Sequence, residues 1–406
     1  MVDSQSEPRP LKRPRVAVVV SHAIQYTSPW FAHVAASGEI DLRVFYLWDF
    51  GVTPRYDRQF DQTLKWDIPL LDGYEYEYVP NRSNDPGTHH FRGLDNPDLV
   101  DRVALWSPDV IILFGYAFLS HMRLILSRRL RGIPMLLRGD SHDLSRPVGL
   151  RSFAGRIMRR ILFKRFSAFL AVGSANASYY RNCGVPDWRI HFVPHCVDNR
   201  RFRQFDSTAS VTRWKREFGI PDGVSTILYA GKFEPEKRIS DLIEAFFAMP
   251  RSTTKPDPVL VLVGAGSLEK KLREQVSTHI GRDVFFVPFQ NQSEMPLVYA
   301  AADLFVLPSR NETWGLAVNE AMNLGRPAVV SSNVGCGPDL VVPDVTGWIF
   351  EAGNVNELAE TLHRALADRE HLCDVGAAAR RHIDGYSYEA ATVRMTNTLR
   401  VLLANA

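Results

Sequence analysis

Long apolar runs are missing from this sequence. No stretch approaches the ~18–20 apolar residues that span a bilayer, and the strongest, Val16–Val20 and Val110–Phe114, have the length of buried strands. Cysteine is scarce as well. Cys183, Cys196, Cys336 and Cys373 stand far apart with no C-x-x-C pair, which argues against a zinc site or a disulfide framework and for reduced, buried thiols in a cytosolic protein. An excess of one charge is lacking too: 48 Lys+Arg against 45 Asp+Glu leave a formal +3. That balance argues against a dedicated nucleic-acid binder, although a local basic patch fits within it. No repeat of ~20–50 residues is visible, so solenoids and propellers are out.

What is present is globular. Hydrophobic residues make up 45% and charged residues 23% of the 406, and roughly 150 residues per domain gives two or three domains. The opening MVDSQSEPRPLKRPR is polar and proline-bearing, and reads as a loose tail rather than a signal peptide. Short β-rich runs follow at 16–20, 42–47, 110–114, 135–138, 168–173 and 191–194. Amphipathic stretches such as Asp98–Leu105 and Leu119–Leu130 lie between them. A second series restarts at 226–231 and continues at 258–264, 283–288, 304–308 and 327–332. Buried strands joined by helical crossovers mean parallel sheets with helices on both faces. The charged stretch Asp198–Asp222 separates the two series as an interdomain region. The expected layout is α/β: a tail over 1–13, doubly wound domains over 14–205 and 206–385, and a final helical segment over 386–406. Sites in such sheets lie beyond the carboxyl ends of the strands.

Three turns in the second series carry chemistry. In NETWGLAVNEAMNLGRPAVVSS, Glu312 and Glu320 flank the start of a helix that begins near Leu316 and ends by Gly325 and Pro327. Free amides at Trp314, Gly315 and Leu316 would favour an anion, and Gly315 permits close approach; on their own the two glutamates also suit a solvated helix. Gly231-Lys232-Phe233-Glu234-Pro235-Glu236-Lys237 follows a strand, and two ammonium groups there can neutralise a diphosphate. A third turn, Gly264-Ala265-Gly266-Ser267-Leu268, lacks the full G-x-G-x-x-G fingerprint because Glu269 stands at the last position. That break counts against a dehydrogenase.

Together these residues resemble glycosyltransferase family 4, the retaining nucleotide-sugar enzymes of the GT-B fold. The resemblance is strong over about residues 225–350 and holds in outline elsewhere; it also takes in Tyr299–Asp303 and the segment from Asp344 through TGWIF. It implies two Rossmann-like domains facing across a cleft, with the helix at Ser387–Leu403 crossing back onto the first. It further implies that Lys232 and Lys237 hold the donor diphosphate, Glu320 the ribose, and Gly231, Gly264 and Gly266 the surrounding turns. Glu312 would lie by the donor sugar, the 314–316 amides near its hydroxyls or phosphate, and Pro288–Gln290, with Phe289 at its centre, beside the base. His142, in Asp140-Ser141-His142-Asp143, matches a histidine beside the donor sugar; the bland alternative for a lone loop histidine is surface exposure. Where many members have a Gly-Gly turn, this chain has Ser21-His22-Ala23-Ile24-Gln25-Tyr26-Thr27-Ser28-Pro29, as in a subset with an Ile-Gln-Tyr-x-x-Pro run. Gln25 and Tyr26, and more loosely Ser174 and Asn176, would then contact the acceptor.

The segment RSFAGRIMRRILFKRF (151–166) contains no acidic residue. On a helix Arg156, Arg159, Arg160 and Lys164 fall within an arc of about 140°, opposite much of Phe153, Ala154, Met158 and Leu162. It reads either as a core-packed helix with a solvated basic face or as a docking surface for anionic lipid headgroups, which Arg128, Arg129 and Arg131 would enlarge. Such docking would be electrostatic, with too little apolar surface for insertion. The expected activity is retaining transfer of a sugar from a nucleoside-diphosphate sugar to a glycan or lipid-linked acceptor. No cofactor and no essential metal are expected, since the developing diphosphate needs cations and the sequence supplies lysines rather than an Asp-x-Asp metal site. The expected location is cytoplasmic, with peripheral attachment to the inner membrane face as one option. An epimerase or phosphorylase of the same fold, and a non-catalytic nucleotide-sugar-binding protein, stay open on the residues alone.

Overall fold

The computed structural model describes residues 13–57, 60–144, 150–205, 207–250 and 256–404. The expected N-terminal tail lies outside them apart from Arg13. The first strand series is β1 (Arg15–Val20), β2 (Asp41–Tyr46), β3 (Arg55–Asp57), β4 (Gln62–Leu64), β5 (Glu75–Tyr78), β6 (Val110–Phe114), β7 (Met135–Gly139), β8 (Ala168–Ala171) and β9 (Ile190–Phe192). The second is β10 (Thr226–Ala230), β11 (Val259–Val263), β12 (Val284–Val287), β13 (Leu304–Leu307), β14 (Ala328–Ser331) and β15 (Gly347–Phe350). All the expected strands form. They build a seven-stranded parallel sheet, β5-β2-β1-β6-β7-β8-β9, and a six-stranded parallel sheet, β12-β11-β10-β13-β14-β15. The antiparallel pair β3–β4 stands apart as an arm. The edge strand β5, with sequence EYEY, escapes a reading by apolar runs because a charge falls at every second residue.

Side-chain alternation on β1 sets the layers. Ala17 and Val19 face one side with Leu99 and Val103. Val16, Val18 and Val20 face the other with Trp30, Val34, Met395 and Leu399. The last two belong to the C-terminal helix Tyr388–Ala404, which lies on the first domain's helix Ser28–Ala36 and accepts a 3.1 Å hydrogen bond from Trp30 Nε1 at Thr392 Oγ1. The chain therefore passes between the domains twice. The two crossings run side by side, joined by a parallel bridge between Val197 and Ser387 and by Asn199 Nδ2 donating to the Ile383 carbonyl at 3.1 Å. The stretch Asp198–Asp222 is no bare linker: it forms the helices Asn199–Arg203 and Thr208–Glu217 and buries Phe202, Trp214 and Ile220 in the second core.

Two expectations need correcting. Cys183, Cys196 and Cys336 are buried free thiols, but Cys373 is exposed. The basic helix, Leu150–Phe163, is turned differently from its helical wheel. Met158 is 67% exposed and Ile161 65%, whereas Arg159 is half-buried with its guanidinium 5.6 Å from the centre of the Tyr179 ring. Phe163 and Phe166 take the core side, and they pull the stem of Arg159 inward with them. Arg156 is half-buried, Arg160 and Lys164 are exposed, and the side chains of Phe153 and Ala154 lie outside the described residues.

His121, on the helix Leu119–Leu126, is fully buried and, among the described residues, has no hydrogen-bond partner at either ring nitrogen. Burial pushes its pKa down to about 3. The unfolded chain therefore takes a proton below the ordinary histidine value of about 6.5 that the native state refuses, and stability falls as pH drops from there, by up to about 1.4 kcal/mol per pH unit per histidine. Thermal melts between pH 7 and 4 should show this acid slope, and His121→Leu should flatten it; an unchanged slope would refute the assignment.

Candidate active site

Each sheet reverses its winding next to its first strand, between β1 and β6 and between β10 and β13. These are the switch points at which crevices open beyond the strand ends. Gln25 and Tyr26 follow β1, Lys232 and Lys237 follow β10, and Glu312 follows β13. Gln25, Tyr26, Gly231, Gly264, Phe289 and Glu320 line one cavity of about 180 Å³.

The turns after β10 and β11 are built against each other. The Gly231 amide donates to the Val263 carbonyl at 3.0 Å and that of Phe233 to the Ala265 carbonyl at 2.8 Å. Gly264, at φ +145°, leaves no room for a side chain: a Cβ there would lie 1.9 Å from the Gly231 carbonyl oxygen. Gly266 completes the turn at φ +149°.

Both lysines have an acid beside them. Lys237 Nζ is hydrogen-bonded to Glu312 Oε2, and Ser309 Oγ donates to the same oxygen at 3.3 Å. Lys232 Nζ lies 3.8 Å from Asp57 Oδ2. Burial lowers the pKa of Lys232, and the neighbouring Asp57 and Glu234 charges oppose that shift. His22, on the first domain, is pushed down to about 4 by burial and by the Lys232 charge, with Asp57 opposing. The neutral ring accepts or donates at Nδ1 with Ser21 Oγ, 3.0 Å away.

The helix Leu316–Asn323 opens on Gly315 in the left-handed region, φ +100°. A Cβ at Gly315 would come within 2.9 Å of Leu307 Cδ2. Trp314 is buried and donates from Nε1 to Asn319 Oδ1 at 2.9 Å, which fixes the turn just before the helix. One turn in, Glu320 Oε2 accepts from the Tyr299 hydroxyl at 2.7 Å. Burial raises the Glu320 pKa, while the Tyr299 hydroxyl and the Arg201 charge pull it back.

His142 reaches across from the first domain. Its Nδ1 accepts from the Leu144 amide at 3.2 Å, so the neutral ring carries its proton on Nε2 and donates it to the Glu312 carbonyl at 2.8 Å. It is a buried interdomain contact rather than an exposed loop histidine. Tyr26 packs edge-on against His195, and burial followed by the Asp140, Glu312 and Glu320 charges raises its pKa. The buried Gln25 Oε1, on the cavity wall, has no hydrogen-bond partner among the described residues. Ser174 and Asn176 lie elsewhere. The Ser174 amide and hydroxyl both bond Asp339, and Asn176 is buried, spanning the Val172 amide and the Ser141 carbonyl. Neither lines the cavity.

Sequence reasoning missed Phe60 and Trp66, which line the cavity, and Asp57, which meets Lys232; all three lie on or beside the β3–β4 arm. Nothing in their spacing flags them, since they act on a domain that begins well over a hundred residues later. Among the described residues the one trio that could hold a metal ion is Asp85, His89 and His90, none of which lines the cavity.

Two parallel-sheet α/β domains facing across a cleft, with the last helix returned to the first domain, define the GT-B class of fold. The architecture is similar to the crystal structure of a glycosyltransferase from Rickettsia africae, with a TM-score of 0.73 at 13% identity, covering 98% of this chain and 100% of that one. It is also similar to Anabaena Alr3699/HepE in complex with UDP and glucose, with a TM-score of 0.71 at 17% identity over 96% and 100%. The family model for glycosyl transferases group 1 matches residues 210–382, and that for the glycosyl transferase 4-like domain matches residues 52–196. The chain belongs to the group 1 glycosyltransferases of family 4.

Among curated relatives, the GDP-mannose-dependent monoacylated alpha-(1-6)-phosphatidylinositol monomannoside mannosyltransferase of Corynebacterium glutamicum is 32% identical over 218 residues, 51% of this chain and 55% of that one. N-acetyl-alpha-D-glucosaminyl L-malate synthase of Bacillus anthracis is 29% identical over 199 residues, 49% and 50% of the two chains. The chain thus spans about half the length of these relatives.

The contact between the two glycine turns gives a direct test. Gly264→Ala should cost at least about 1–3 kcal/mol, because the clash is with backbone that no rotamer can relieve. A urea midpoint equal to wild type would show that the turns do not touch.

Proposed function

We propose that this chain is a retaining glycosyltransferase that moves a sugar from a nucleoside-diphosphate sugar to an acceptor hydroxyl in glycan, polysaccharide or glycolipid synthesis. The observation that carries the reading is the pair Lys232 and Lys237 beyond β10, each beside a carboxylate, Asp57 for the first and Glu312 for the second. Two cations in a half-buried cleft suit a leaving diphosphate, whose charge grows as the glycosidic bond breaks. The acceptor oxygen bonds the anomeric carbon on the face the diphosphate leaves, and the acceptor's proton passes to a leaving phosphate oxygen. The lysines then neutralise the charge without a divalent metal. Glu320, held by Tyr299, suits the ribose hydroxyls. The Nε2–H of His142, now on the Glu312 carbonyl, suits a sugar hydroxyl at the same place. Support from relatives is of the same kind: one is named for a GDP-mannose donor, and one fold neighbour was solved with UDP and glucose.

Lys232→Ala and Lys237→Ala should each lower kcat/KM by about 2–4 kcal/mol in transition-state stabilisation, in a sugar-transfer assay whose wild-type rate survives EDTA. Near-normal rates in both variants with intact melts, or an absolute need for Mg²⁺ or Mn²⁺, would overturn the lysine account.

The acceptor is proposed to be lipid-linked, with the first domain resting on an anionic membrane surface. A groove of about 670 Å³ runs between the helices Leu119–Leu126 and Leu150–Phe163, lined by Phe91, Tyr116, Leu126, Met158 and Ile161. Leu126 is 70% exposed, beside Met158 and Ile161. Arg128, Arg131, Arg160 and Lys164 are exposed on the same helices and their flanks. Apolar side chains ringed by cations match the acyl boundary and the headgroups of an anionic leaflet. Because the apolar face points outward, attachment combines insertion with charge. Sedimentation with phosphatidylglycerol-containing vesicles should then persist in part at 1 M salt, where the Debye length is about 3 Å, and the double variant Met158→Asp/Ile161→Asp should abolish it. Equal sedimentation of both proteins would sink the membrane reading.

A further inference from the structure

After β2 the chain leaves the first sheet, forms the β3–β4 pair and crosses to the second domain. There it is fastened. Asn291 Nδ2 donates to the Lys65 carbonyl at 2.8 Å, and the Ser293 amide donates to Asp67 Oδ1 at 3.1 Å. Phe60 meets Phe289 edge to face with ring centroids 4.8 Å apart, and the Trp66 ring lies 6.3 Å from that of Phe289. Lys232 Nζ stands 4.8 Å from the centre of the Phe60 ring, with Asp57 Oδ2 3.8 Å away. Phe60 and Trp66 line the same 180 Å³ cavity as Gly231, Gly264 and Glu320. With the Phe60 and Phe289 ring centroids 4.8 Å apart there is no room for a base between them, so a base stacked on Phe289 requires the arm to shift.

We propose that the β3–β4 arm is the movable wall of the donor site: Phe60 and Trp66, facing Phe289, form an aromatic slot for the nucleobase, and Asp57 is a resident counter-ion that the donor's diphosphate displaces from Lys232. The inference rests on the donor site assigned above and adds the first domain's share of it. A half-buried ammonium is costly without an anion nearby, and Asp57 supplies one when the site is empty. A diphosphate brings more negative charge than one carboxylate and so wins the exchange at Lys232, while Asp57 Oδ1 keeps the Phe60 amide, 3.1 Å away. Stacking against aromatic rings is tolerant of base identity, so the slot supplies affinity while polar groups at its rim discriminate among bases. An uncharged nucleoside uses the slot without competing for Lys232.

The test is nucleotide binding by the full chain. UDP, GDP, ADP and dTDP are titrated by calorimetry, and the matching nucleosides are followed by ligand-observed NMR, against wild type, Phe60→Ala, Trp66→Ala, Asp57→Asn and Lys232→Ala, each checked by melting. For the diphosphate that wild type binds, Phe60→Ala and Trp66→Ala should each weaken binding about tenfold, and should weaken the nucleoside likewise. Asp57→Asn should tighten the diphosphate several-fold and leave the nucleoside unchanged. Wild-type affinity in both aromatic variants, or no tightening in Asp57→Asn, overturns the arm proposal. If Lys232→Ala is weakened in that same experiment, the donor site stands and the arm alone falls. If none of the four diphosphates binds wild type, or Lys232→Ala binds as wild type does, the donor reading fails and takes the arm with it.

Discussion

A positive charge in a half-buried cleft needs an anion within a few ångströms, and the turn after β10 carries two such charges. That need organises the space between the domains. Glu312 answers Lys237 from the loop after β13, and Asp57 answers Lys232 from the opposite domain. The backbone that presents the Glu312 carboxylate also offers its carbonyl to His142, so one residue carries a charge contact and an interdomain hydrogen bond. Charge compensation and domain apposition are thus a single arrangement, and a ligand that alters one acts on the other.

Much of this was legible in the sequence, for a physical reason. A parallel strand covered on both faces must be apolar along its length, so VAVVV, VIILF and VLVLV announce themselves. Because ligand sites follow the carboxyl ends of such strands, the turns at Lys232, Gly264 and Glu312 could be located before any coordinates. The arm could not. Its short strands carry Tyr, Asp, Gln and Thr with no sustained alternation, and its aromatic and acidic side chains find their partners only across the cleft.

The helix Leu150–Phe163 failed in another way. A wheel groups the arginines on one arc, but it cannot say which arc faces the core. The neighbours decide: Phe163 and Phe166 dock on Phe169, Arg159 brings its guanidinium to the Tyr179 ring, and Met158 and Ile161 are left outside. Patterning located the amphipathic element; packing chose its orientation.

The paired crossings at Val197–Ser387 and Asn199–Ile383 constrain motion as well as topology. Two bodies joined by one flexible link can swivel about three axes. Joined by two adjacent links bonded to each other, they keep essentially one: the line through that seam. Opening the cleft therefore works like turning a page, with least displacement at the bound edge and more for atoms farther from it. Contacts along the binding survive the turn, and those across the cleft are the ones that part.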